Sequence, residues 1–133
     1  MGYRSDVALV LSGNGVKFLK HRLGEDNDLC VTITNFLNHA DAHYADNTSG
    51  AEVWFWKWMK WYARDTNVYD EPCFIEDTLQ LLDEKDFRFI RLGEEDDDFQ
   101  NIGTYFDNPF RVDLVRYIQI EAPAEKSESV ASD

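Results

Sequence analysis

After the turn signal Asn47-Thr48-Ser49-Gly50, residues 51–58 read Ala-Glu-Val-Trp-Phe-Trp-Lys-Trp and continue with Met59. Successive side chains of a strand point to opposite faces. A strand here puts Trp54, Trp56 and Trp58 on one face and Val53, Phe55 and Met59 on the other, with Lys57 between them. Both faces are then apolar, and at least one has to be covered. One face is expected to pack on helices. The second is expected either to be covered by the exit segment Trp58–Tyr62 or to meet a partner. Exposed Trp and Tyr near Arg is the composition of interface hot spots, and Arg4, Arg88 and Tyr117 could share such a face. The alternative is a large aromatic core.

Periodicity organises the rest. Residues 3–11 predict a strand with Tyr3, Ser5, Val7, Leu9 and Leu11 on one face and Arg4, Asp6, Ala8 and Val10 on the other. Ser12-Gly13-Asn14-Gly15 breaks it, and Val16, Leu19 and Leu23 follow at helical spacing up to Gly24. Asp28 can cap a helix over 28–38 with Leu29, Ile33, Phe36 and Leu37 inward, although Thr32-Ile33-Thr34 also permits a strand; the helical pattern is the better match. Residues 40–58 predict a hairpin. Asp70-Glu71-Pro72 starts a helix carrying Ile75, Thr78, Leu79 and Leu82 on one face. Phe87–Leu92 is expected as a strand, Glu94–Asp98 as a solvated loop, 99–106 as room for a short strand and Val112–Glu121 as a final strand. The resulting fold class is α+β: an antiparallel or mixed sheet with helices on one face, near the ferredoxin-like βαββαβ plan, plus an extra C-terminal strand or hairpin. Residues 1–121 are expected to form a single domain, and 122–133 a disordered acidic tail with almost nothing to bury.

Charge is distributed unevenly along the chain. Of 133 residues, 26 are Asp or Glu and 13 are Lys or Arg, giving a formal net charge of −13. Residues 1–64 carry seven acids and seven bases, so the whole imbalance belongs to 65–133. This argues against direct nucleic-acid binding, which needs a basic footprint, and against an anionic membrane surface. No apolar stretch approaches the roughly 20 residues of a membrane span. Cys30 and Cys73 form neither a C-x-x-C pair nor a disulfide framework, and the N-terminus does not read as a signal peptide. The expected location is cytoplasmic.

Three stretches carry a resemblance: Gly2-Tyr3-Arg4-Ser5-Asp6-Val7-Ala8, then Trp58-Met59-Lys60-Trp61-Tyr62, then Phe87-Arg88-Phe89-Ile90-Arg91-Leu92-Gly93-Glu94-Glu95. In that order they resemble stretches of small acidic phage and prophage accessory proteins. The resemblance implies a mobile-element origin and a small α+β domain. It carries no catalytic motif, and the run of tryptophans departs from the group's pattern.

Candidate site residues follow from these features. Glu76, Asp77, Asp83 and Glu84 on the 72–85 helix, with Glu94, Glu95, Asp96, Asp97 and Asp98, would give a field that attracts basic clefts if they share a surface. In a phage setting, this points to a non-catalytic protein that binds and inhibits a basic, nucleic-acid-handling host defence protein, as an anti-CRISPR or anti-restriction factor would. The alternatives are an oligomerising domain using Trp54, Trp56 and Trp58, or a small metal-dependent enzyme. On a strand, His39, Asp41 and His43 would point the same way and could hold a divalent transition metal. Ser12-Gly13-Asn14-Gly15 could cradle phosphate at a helix N-terminus, but lacks the full spacing of either glycine-rich phosphate motif. Cys30 and Cys73 sit in apolar helical contexts and read as core thiols. No cofactor is expected.

Overall fold

The computed structural model describes residues 4–25, 27–61, 70–95, 98–110, 112–114 and 118–120. Strand β1 (Ser5–Leu11) leads into helix α1 (Gly13–Leu23) and helix α2 (Asn27–Asn38). Strands β2 (Ala42–Ala45) and β3 (Glu52–Met59) form the hairpin, followed by α3 (Glu71–Leu81), a 3-10 turn (Glu84–Asp86), β4 (Phe87–Gly93) and β5 (Phe99–Ile102). These five strands make one antiparallel sheet in the order β2-β3-β1-β4-β5. The protein is therefore α+β with three helices among the described residues.

The sheet is centred on β1, whose residues Val7 to Leu11 are at most 1% exposed. Its odd positions Val7, Leu9 and Leu11 join Trp54, Trp56 and Phe89 under apolar residues of all three helices, including Leu19, Ile33 and Phe74. Its even positions Ala8 and Val10 join Val53 and Ile90 on the opposite side, under Phe110 and Val112. Both faces of the sheet are thus covered, each from a different part of the chain. Among the described residues of the exit segment, Trp58 is exposed and Trp61 turns to the helix side, where it lies 5.7 Å from both the Trp56 and Phe89 rings, so they do not supply the second cover. The cover comes from the segment after β5, held by the Arg88 guanidinium donating to the Val112 carbonyl at 2.6 Å. In place of the expected long final strand, the described residues form two short strands, β6 (Asp113–Leu114) and β7 (Ile118–Gln119), paired with each other. The expected tail 122–133 lies outside the described residues.

Local chemistry sets the helix starts. Ser12 caps α1 by accepting from the Gly15 amide, and its hydroxyl donates to Asp86 Oδ1 at 2.8 Å, tying the strand-to-helix turn to the start of β4. Lys20, His21 and Arg22 in the last turn suit the negative end of the helix dipole. Asp70 caps α3, with Pro72 in the first turn where no intrahelical donor is lost.

The strand alternation of β3 breaks near its end. Ser5 pairs with Met59, but Val7 pairs with Trp56, so Lys57 and Trp58 both lie opposite Asp6. This is a bulge. Trp58 adopts a φ of 59°, left-handed backbone that costs a non-glycine residue about 1–2 kcal/mol. Two carboxylates offset that cost by accepting the amides that the irregular register frees: Asp6 from Trp58 at 2.9 Å, and Asp41 from Lys57 at 2.6 Å. The shared face expected for the three tryptophans therefore ends after Trp56. Trp54 and Trp56 are in the core, Met59 packs on the helix side, and Trp58 is 60% exposed.

The cover over the second face is testable. Phe110→Ala is expected to cost about 3–5 kcal/mol of stability in urea unfolding. A loss under about 1 kcal/mol would mean that Phe110 does not seal that face.

Candidate functional site

The acidic residues singled out from sequence fall into two groups at opposite ends of β4. At its start, Asp83 caps the 3-10 turn by accepting from the Lys85 amide, and Glu84 is exposed. At its end, Glu94 accepts from the Arg4 amide at 2.6 Å, Glu95 is exposed, and Asp98 is paired with Arg91 at 2.7 Å. Arg91 also donates to Gln100 and Ser5, so this ion pair anchors the β4–β5 connection to β1. At roughly 3.3 Å per strand residue, the two groups stand about 20 Å apart. Glu76 and Asp77 are half-buried on α3, and Glu76 accepts from the Trp61 indole at 2.9 Å. Asp96 and Asp97 lie outside the described residues. The structure thus brings Asp83 and Glu84 together and Glu94, Glu95 and Asp98 together, but does not merge the two sets.

The group at the start of β4 is larger than the sequence suggested. Asp46 follows β2, Asp86 precedes β4, and Asp107 follows Tyr105, whose amide donates to the Phe87 carbonyl, so the three acids come from different loops or turns at the same end of the sheet. Burial raises the Tyr105 phenol above its ordinary value near 10, and the carboxylates of Asp107, Asp46 and Asp86 push it further up. Asp46 is organised by its own turn: its carboxylate accepts from the Ser49 hydroxyl at 2.6 Å and the Ser49 amide at 3.0 Å. Those bonds hold its pKa below the ordinary carboxylate value. No local motif announces this convergence, because the three acids are separated by long stretches of chain.

The remaining candidates have separate partners. His39 Nδ1 contacts the Asn35 carbonyl, Asp41 serves the bulge, and His43 Nε2 lies 2.7 Å from Glu52 Oε1 with its ring stacked 5.0 Å from that of Trp54. β2 begins only at Ala42, so these three do not share a strand face, and among the described residues no group of three or more His, Cys, Asp or Glu is placed to hold a metal ion. His43 and Glu52 instead border an apolar cavity of about 360 Å³ against Leu19, Cys30 and Trp54. The Ser12–Gly15 turn opens on a cavity of about 530 Å³ that contains Lys17 and Lys20 but also Glu52 and Asp86, whose charges oppose an anion. A side chain at Gly13 would collide with the Ser49 carbonyl, which gives that glycine a packing role. No disulfide joins Cys30, half-buried, and Cys73, buried. Arg88 lies over Phe106 and Arg4 beside Trp58, while Tyr117 lies outside the described residues.

Comparison with protein-family models, with curated proteins and with solved structures finds no match. Among the described residues, no helix is long and apolar enough to cross a membrane.

Since the folded state resists deprotonation of Tyr105, stability is expected to fall as pH rises past 10, where the unfolded chain releases this proton first. By NMR titration, Asp107→Asn is expected to lower the pH at which Tyr105 ionises. An unchanged titration would mean that Asp107 does not act on the phenol.

Proposed function

We propose that the protein is a non-catalytic binder that occupies the basic, nucleic-acid-handling surface of a host defence protein, as an anti-CRISPR or anti-restriction factor of a phage or prophage would. The observation that carries this reading is the strand register, which sets Asp46 after β2 and Asp83, Glu84 and Asp86 before β4 at the same end of the sheet, where the Tyr105 amide donates to the Phe87 carbonyl and brings Asp107 near. The carboxylates at this end outnumber the neighbouring Lys17, Lys20 and Lys85, and a net negative field steers a basic partner and competes with phosphates for its cationic side chains. The net charge of −13 adds to the same attraction. The phage setting rests on the resemblance of the three sequence stretches named above.

We also propose a finer description of the fold. The order β2-β3-β1-β4, with helices between β1 and β2 and between β3 and β4, fits the ferredoxin-like βαββαβ plan, with α2 inserted and β5 added at one edge.

The functional test is a binding assay of the purified protein against a panel of DNA- and RNA-handling defence enzymes. Binding is expected to weaken steeply with salt, to be competed by the enzyme's own nucleic acid, and to weaken further for Glu84→Gln combined with Asp107→Asn. A partner whose affinity is indifferent to salt, to nucleic acid and to both substitutions would contradict the proposal.

A further inference from the structure

Strand β5 is an edge: among the described residues it pairs with β4 alone. Natural sheets blunt such edges with lysine, proline, bulges or a covering element. β5 reads Phe-Gln-Asn-Ile, with neither lysine nor proline. Phe99 is 52% exposed and Ile102 is 43% exposed. Pairing places Ile102 opposite Phe89, on the helix side, and Phe99 opposite Leu92, on the other side, so the edge shows apolar surface on both faces. On the helix side, Ile102 borders a cavity of about 360 Å³ with Leu79 and Phe87, and Glu76 and Glu84 also line it. Exposed Leu81 lies at the end of α3, between cavity residues Gln80 and Leu82.

The acidic groups are placed by the ends of this strand. At its start stand Glu95 and Asp98, joined through the Asp98 amide and the Glu95 carbonyl. Past its end, the Thr104 amide donates to the Glu84 carbonyl at 2.8 Å, which brings that end of β5 to the Asp83–Glu84 turn. A four-residue strand is about 13 Å long. An edge of that length, apolar at Phe99 and Ile102 and with Gln100 and Asn101 accepting from Arg91 and Arg88, therefore lies between exposed Glu95 at one end and exposed Glu84 at the other.

We infer that β5 is a docking edge for an extended, basic segment of a partner protein, which adds to the sheet as a sixth strand. Main-chain bonds to β5 would supply the backbone pairing, apolar side chains of the segment would meet Ile102 and the cavity on one face and Phe99 on the other, and Lys or Arg at its two ends would meet the two acidic groups. Charge complementarity selects a basic occupant over a second copy of this acidic chain. The inference rests on the proposed binding of a basic protein and specifies the contact.

The test uses a synthetic peptide of about seven residues, alternating β-branched apolar side chains in its middle with Lys and Arg at both ends. A second peptide of the same charge carries prolines in the middle, which cannot pair as a strand. The first peptide is expected to bind, with its largest amide shifts in NMR at residues 99–102. The proline peptide is expected to bind at least tenfold more weakly. Ile102→Lys and Phe99→Lys, both at exposed positions, are each expected to weaken the first peptide at least tenfold. Equal binding of the two peptides, no effect of either lysine substitution, or shifts centred on Tyr105 and Asp107 would overturn the docking edge while leaving attraction to basic partners intact. Absence of peptide binding would overturn it as well. Strand pairing at β5 together with failure of the defence-enzyme assay would instead uphold the edge and remove the nucleic-acid-surface reading.

Discussion

Burial of β1 on both faces is the constraint from which the rest of the architecture follows. A central strand with Val7, Leu9 and Leu11 on one side and Ala8 and Val10 on the other leaves no face for water. Three helices satisfy the first side. The second side needs a separate cover, and the chain supplies it late, with Phe110 and Val112. Among the described residues, β5 pairs with β4 alone while Phe110 and Val112 lie over the sheet face.

The parts legible in the sequence are those set by local chemistry. The alternation of residues 5–11, the helical spacing of Ile33 and Leu37, and the Asp70–Pro72 start of α3 each depend on neighbours a few residues away. The end of β3 does not. Trp58 leaves the face of Trp54 and Trp56 because Asp6, far back in β1, and Asp41, before β2, accept the amides of Trp58 and Lys57. Strict alternation cannot anticipate a bulge held by distant carboxylates. The apolar pattern of 112–121 likewise permits a strand or a hairpin without choosing between them, and the described residues form the short pair β6–β7.

The acidic residues show the same division. Their number and their position in the second half of the chain are plain from the sequence, but their grouping is a product of the fold. Asp98 and Glu76 are bound to Arg91 and Trp61, and Asp86 to Ser12, so several carboxylates organise turns and packing as well as carrying charge. Glu84, Glu94, Glu95 and Asp107 are exposed, at the two ends of β4 and in the loop after β5, Glu94 while accepting from the Arg4 amide. A run such as Glu94–Asp98 therefore gives a poor guide to a binding surface until the strands that carry it are placed.

A sheet buried about β1 and, among the described residues, unpaired on the outer side of β5 should have a steep gradient of local stability, since amides in the core exchange only on global unfolding and those at an open edge exchange through small fluctuations. Residue-resolved amide hydrogen exchange of the isolated protein measures this directly. The expected result is slowest exchange at Val7–Leu11 and exchange faster by orders of magnitude at residues 99–102. Protection of 99–102 equal to that of β1, or rapid exchange within β1, would contradict a sheet centred on β1 with β5 as its open edge.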